Sequence, residues 1–337
     1  MRKSKWIATL SVIALSAIVT ALLTLPASAQ IPADPHSWWD ASDPSGDGSR
    51  PSDGLFDGPW VNKGVSEDGL DAVGFGDYLG NVTELNGAGA WNFGKTGQTS
   101  LWISESNSAY NFLHDGSDAT AVIVATAKRP SRSSSPRIIS NNGGSGTVGI
   151  HITPVLDGPS IDETGQAHVW MTRGVGGSPA IDPNKGEDGV WNIGKAKNPD
   201  GSKSKGLLSF VVSRHQTDPD DFDFKILIHE ISEAGLAAGM REVLGGNGSE
   251  DRPYSQANAN GGGGGFLEFG SSDGGNTLWH GLYAEVILYD RALSSSEMTQ
   301  LDNALLMKYT GIPEPATFAL LGLGSMVLLR RRTRTCS

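Results

Sequence analysis

The chain has 337 residues and a formal net charge of −11, from 26 Lys+Arg against 37 Asp+Glu. Acidity of this degree repels phosphate backbones and excludes nucleic acid as a partner. A single cysteine, Cys336, excludes an internal disulfide framework, so stability must come from an ordinary apolar core, which a chain of this length can build.

Residues 1–29 read as an export leader. Arg2, Lys3 and Lys5 precede an apolar stretch from Trp6 to Leu25, and Ala27-Ser28-Ala29 forms a small-residue site, so cleavage is expected between Ala29 and Gln30. From Gln30 to about Asp118 the chain reads as loop-rich, with Trp38, Trp39, Trp60, Trp91 and Trp102 as isolated apolar anchors. Strand signals then follow at 120–127, 147–153, 168–172, 207–213, 222–231, 265–269 and 281–289. Each is short, β-branched or aromatic, and bounded by Gly, Asp, Asn or Pro. Phe222, Phe224, Ile226 and Ile228 alternate as one face of a half-buried strand. With 45 glycines and many short strands, the composition favours an all-β jelly-roll sandwich.

One helix closes the body. Ser294 and Glu297 make a capping box, Leu293 and Met298 can staple it, and Met298, Leu301 and Leu305 form one apolar stripe. Gly311 is the expected stop. Pro313-Glu314-Pro315 then breaks the chain, 14 apolar-biased residues (316–329) follow, and Arg330, Arg331 and Arg332 end the run. This segment is short for a bilayer span of about 20 residues, a shortfall that snorkelling arginines can cover. Three of the 26 basic residues lie in the leader and four in the tail, while only Glu314 of the 37 acidic residues lies outside the body. The body therefore carries a net charge of about −17.

The order Pro-Glu-Pro, apolar segment, arginines over 312–337 resembles the PEP-CTERM sorting signal. The resemblance implies recognition and cleavage by an exosortase in a Gram-negative bacterium. A transient inner-membrane anchor would precede a cell-surface or matrix location. A second resemblance rests on two blocks. The closing block runs from Trp279-His280-Gly281 through Glu285-Val286-Ile287-Leu288-Tyr289-Asp290-Arg291 and the capped helix to Lys308-Tyr309. The opening block is Trp39-Asp40-Ala41-Ser42-Asp43 with Trp60-Val61-Asn62-Lys63-Gly64. Both are similar to LamG-like domains of the concanavalin A-like lectin/glucanase superfamily. The resemblance implies one sandwich domain over 30–311 with a short C-terminal helix, and carries no specific function.

A search for chemistry returns little. The Glu-x-Asp-x-x-Glu strand signature of laminarinase-type glycosidases is absent, and Glu285 and Asp290 stand five apart, on opposite faces of an ideal strand. None of the seven histidines lies three or four residues from another, so no zinc motif results. Calcium is the inorganic option, with Asp40, Asp43 and Asp47 as candidate ligands in the opening loop and Asp218, Asp220, Asp221 and Asp223 as a second acidic turn; solvated turns are the competing reading. Trp39 and Trp170 are candidate platforms for stacking on sugar rings, against the alternative of buried anchors. The sequence thus leads to an exported non-catalytic surface or matrix protein that binds glycan or adheres. Its rivals are a glycan-active hydrolase on the same fold and a structural coat protein without a small ligand.

Overall fold

A computed structural model describes residues 31–66, 71–74, 76–93, 101–103, 108–113, 117–126, 139–141, 148–156, 165–173, 190–192, 207–218, 221–231, 241–247, 267–270 and 281–311. For 101–103, 148–156, 165–173, 190–192, 207–218, 221–231 and 241–247 the description is of the backbone. The leader, the sorting segment and Cys336 lie outside the described residues.

In chain order the strands are β1 (Ser37–Asp40), β2 (Gly54–Phe56), β3 (Val73–Gly74), β4 (Gly76–Val82), β5 (Ala88–Phe93) and β6 (Leu101–Ile103). They continue with β7 (Ala119–Thr126), β8 (Ile139–Ser140), β9 (Val148–Leu156), β10 (Gly165–Arg173) and β11 (Val190–Asn192). The last are β12 (Leu207–Asp218), β13 (Asp221–Ile231), β14 (Arg241–Asn247), β15 (Leu267–Phe269) and β16 (Gly281–Tyr289), before the helix α1 (Ser295–Thr310). Among the described residues they form two sheets. One has the order β14-β13-β12-β7-β16-β5-β4-β2 with β1 also on β16, and the other β11-β10-β9-β8-β15-β6-β3. The all-β architecture with one terminal helix is the one the sequence leads to.

Aromatic rings fill the space between the sheets. Phe269 of β15 lies 5.0 Å from the Trp39 ring of β1 and 6.2 Å from Tyr283 of β16. Trp60 packs edge-on to Phe269 at 5.7 Å and to Trp91 at 5.6 Å. These rings are fully buried, and each contributes about 1.5–3 kcal/mol or more through apolar area removed from water.

The N-terminal third differs from expectation: the stretch read as loops supplies six strands, β1 to β6. In β4, Gly-Asp-Tyr-Leu-Gly-Asn-Val, and in β5, glycine stands where other backbone approaches too closely for a side chain, which weakens the β-branched signal there. A Cβ on Gly89 would meet the Ala41 carbonyl oxygen at 2.3 Å, and one on Gly64 would meet the His36 carbonyl oxygen at 2.3 Å. Gly64 lets residues 61–66 run along the free side of β1, where Lys63 N–H donates to the Trp38 carbonyl at 2.7 Å and Trp38 N–H to the Asn62 amide oxygen at 2.8 Å.

α1 covers the other face of the first sheet. Its cap is formed as the sequence indicates: the Ser294 hydroxyl accepts from Glu297 N–H, the Glu297 side chain accepts from Ser294 N–H, and Gly311 ends the helix with φ +67°. Met298, Leu301, Leu305 and Tyr309 bury against Val122, Val124, Ile287 and Tyr289 of the sheet.

β16 carries one irregularity. Tyr283 pairs with Ala125 and Glu285 with Val124, so Ala284 is an extra residue, a β-bulge. Strict alternation would send Glu285 to the same face as Tyr283, which packs into the sandwich. The bulge turns Glu285 instead toward α1, where Tyr309 meets it.

Leu301→Asp should cost about 3–5 kcal/mol, because it places an unpaired carboxylate at a fully buried position. That lowers the melting temperature by roughly 10 °C in a domain of this size. A thermal melt indistinguishable from wild type would show that α1 does not pack on the sheet as described.

Candidate functional site

Where β1 runs beside β16, Asp40 stands directly opposite Glu285. Like charges directly opposite across a strand pair destabilise it unless a cation joins them. Lys308, in the last turn of α1, is that cation: its ammonium lies 2.8 Å from Asp40 Oδ1 and 2.9 Å from Glu285 Oε2. Tyr309 donates its hydroxyl to Glu285 Oε2 at 2.7 Å, and the Trp38 indole N–H donates to Glu285 Oε1 at 2.7 Å. Asp40 Oδ1 also accepts from Ser42 N–H at 2.8 Å. Lys63 extends the network outward, 3.5 Å from Asp40 Oδ2 and 2.7 Å from Asp43 Oδ2, with its ammonium over the Trp38 ring.

Burial sets the electrostatics. Glu285 has no solvent exposure, and burial pushes its carboxyl up from the ordinary range, with Lys308 pulling against that and the Asp40 charge adding to it. Asp40 feels burial too, but the charge and hydrogen bond of Lys308, with Lys63 behind it, hold its carboxyl below the usual value. Burial alone would lower the Lys308 ammonium; Glu285 and Asp40 together raise it above 10.5. Three donors converge on Glu285, the arrangement a buried carboxylate needs. A group so enclosed is positioned to hold structure together, and its lone pairs are taken up by protein donors rather than facing a substrate.

The residues nominated from sequence fall as follows. Asp40 and Asp43 join through Lys63, whereas Asp47 turns to its own loop, accepting from the Ser45 hydroxyl at 2.9 Å and from Ser49 N–H at 2.8 Å. Those bonds hold the Asp47 carboxyl down at about 2. The three carboxylates are therefore not gathered as one ligand set, and among the described residues no group of three or more His, Cys, Asp and Glu is placed to hold a metal ion. In the second acidic turn Asp218 closes β12 opposite Asp221 of β13, while Asp220, the side chains of Asp218, Asp221 and Asp223, and the side chain of Trp170, which in β10 sits opposite His151 of β9, lie outside the described residues. Trp39 is corrected as a sugar platform: it has no exposed surface, because it projects from β1 into the sandwich against Phe269. Asp290 lies exposed beyond the end of β16 and takes no part. The partners missed from sequence are Lys308, Tyr309, Lys63 and Trp38, although all four lie in or beside the two blocks that carry the resemblance. A buried acid on β16 with no basic neighbour in its own segment was the available signal.

Residues 311–333 match the PEP-CTERM protein-sorting motif. No curated protein sequence matches the chain. Among solved structures, a NanB sialidase from Streptococcus pneumoniae matches with 16% identity over 62% of this chain and 27% of its own, at a TM-score of 0.36. Domain 4 of AbnA, an extracellular arabinanase from Geobacillus stearothermophilus, matches with 13% identity over 80% of this chain and 98% of its own, at 0.39. An arabinofuranosidase complexed with arabinofuranosyl-xylobiose matches with 11% identity over 74% of this chain and 50% of its own, at 0.46.

The network and the buried tyrosines predict an alkaline limit to stability. Burial pushes the hydroxyls of Tyr283 and Tyr309 well above 10.0, raises Tyr289, and carries Tyr78 up to about 12, while Lys308 is raised above 10.5. In each case the folded chain keeps a proton that the unfolded chain releases. Stability is therefore full below the unfolded value and falls as pH rises through the folded one, by about 1.4 kcal/mol per pH unit for each group. The melting temperature should stay level from about pH 7 to 9 and drop steeply above about pH 10, with the phenolate absorbance of these four tyrosines appearing only as the fold melts. Their titration near pH 10 in a chain that stays folded would contradict the burial described.

Proposed function

We propose that this is an exported, non-catalytic surface or matrix protein whose LamG-like sandwich is delivered by its sorting motif and associates with extracellular polysaccharide. The observation that carries the reading is where the motif begins. The match starts at Gly311, the residue that caps α1 in the left-handed conformation, so the last described element of the body ends where the sorting motif starts. Pro313-Glu314-Pro315 would be read by an exosortase, the segment 316–329 would hold the chain in the inner membrane, and Arg330, Arg331 and Arg332 would mark its cytoplasmic side.

One feature supports a non-catalytic body. The strand-paired carboxylates Asp40 and Glu285 are committed to Lys308, Tyr309 and Trp38, which removes them from acid–base work. Trp170 is retained as the stacking candidate, and calcium as a ligand would need side chains other than the trio of Asp40, Asp43 and Asp47.

Intact-mass analysis of protein from its native host should show loss of both ends, with a new N-terminus at Gln30 and no species retaining Cys336. The processed protein should be retarded by soluble polysaccharide in affinity electrophoresis, less so as Trp170→Ala, while releasing no reducing sugar. A dominant full-length form would overturn the sorting part. Sugar release by pure protein would replace the binding role with a hydrolase, and silence across a broad glycan panel would leave a structural coat.

A further inference from the structure

We propose that α1 is a mechanical latch, fastened at the point where the chain leaves the body, so that force arriving through residues beyond Gly311 passes into the middle of the first sheet. The proposal rests on the reading above only in taking attachment to be through the segment after Gly311.

The fastenings cluster at the exit. Lys308 grips Asp40 and Glu285 at 2.8 and 2.9 Å, Tyr309 grips Glu285 at 2.7 Å, and Asn86 donates its side-chain amide to the Lys308 carbonyl at 3.2 Å. All of these lie within four residues of the last helical one or its cap. The other end of α1 has its capping box, the Thr120 hydroxyl of β7 accepting from Leu293 N–H and donating to the Arg291 carbonyl at 3.0 Å each, and one ion pair, Arg291 with Glu297 at 2.8 Å, whose side chains are 39% and 29% exposed. A surface pair of that kind is worth about 0–1 kcal/mol, whereas withdrawing Lys308, itself 26% exposed, strands the carboxylates of Asp40 and Glu285, whose side chains are 11% and 0% exposed. A helix that only had to cover the sheet would need no such bias toward its last turn.

The receiving strands suit the role. Glu285 sits in β16, which pairs with β7, β5 and β1, and Asp40 sits in β1, the first strand of the chain. Lys308 therefore joins the first and last elements of the body directly, across 268 positions of sequence. Tension arriving from beyond Gly311 falls on that ammonium before it reaches the ladder between β1 and β16.

Cys336, the only cysteine, gives a ready attachment point in the full chain. The experiment holds the full-length protein in detergent between a bead coupled at Cys336 and an N-terminal tag, and pulls at fixed force. The first event should be a short extension matching release of α1. Lys308→Met should speed it on the order of 100-fold, because it leaves the buried carboxylates of Asp40 and Glu285 without their shared cation. Phe269→Leu, in β15 of the second sheet and away from α1, should lower the melting temperature without altering that first event. If Lys308→Met fails to fold, Tyr309→Phe, which removes one hydroxyl and keeps the ring, should speed the first event by a smaller factor. The proposal is overturned if α1 is not the first element released, or if either variant at the exit changes the rate no more than Phe269→Leu does.

Discussion

Two carboxylates on neighbouring strands, Asp40 of β1 and Glu285 of β16, face each other beneath a helix, and an ammonium must lie between them for the fold to close. Without Lys308 the pair would repel inside a water-poor space, and each carboxylate would carry its desolvation cost unrelieved. With it, β1, β16 and α1 become one unit. The apolar stripe of α1 supplies the area, and the ion pairs fix the register in which that area is used. A helix shifted by one turn would still bury leucines but would strand both acids.

The backbone is shaped around that requirement. The bulge at Ala284 redirects Glu285 from the sandwich interior to the helix face. Gly64 lets residues 61–66 close on β1, which brings Lys63 to Asp40 and Asp43 and places its charge over the Trp38 ring. Tyr78 donates to the Ala41 carbonyl at 2.7 Å and so holds the residues just after β1, with Gly89 leaving room for that carbonyl. The opening and closing blocks, distant in sequence, are thus two halves of one contact.

Local signals were readable in the sequence, and the contact between the blocks was not. The capping box at Ser294 and Glu297, the left-handed stop at Gly311 and the strands β7, β9, β10, β12, β13, β15 and β16 each announce themselves within a few residues, whereas β8, β11 and β14 were not read from the sequence. Among the strands before residue 118, β4 and β5 were hidden because close backbone approach demands glycine at Gly80 and Gly89, and β1 and β6 because three or four residues around a tryptophan show no alternation. Trp39 read as a possible sugar platform because a tryptophan beside loop residues looks the same whether it points in or out. The role of Glu285 escaped because counting by twos along β16 fails at the bulge, and its partners lie in another strand and a helix. Asp40 and Asp43 resembled calcium ligands for the same reason: the ammonium groups that pair with them come from elsewhere in the chain.

The central claim is that one lysine binds the first strand to the last helix through a charge it shares between two buried carboxylates. A double-mutant cycle with Asp40→Asn and Lys308→Met, read by chemical denaturation, addresses it most directly. The account predicts that each single change is destabilising and that the double variant loses less than their sum by about 1–3 kcal/mol, since once one partner is gone the other holds only part of its role. Losses that add to within about 0.5 kcal/mol would mean that the two side chains do not act as a pair, and the account of the clasp would be wrong.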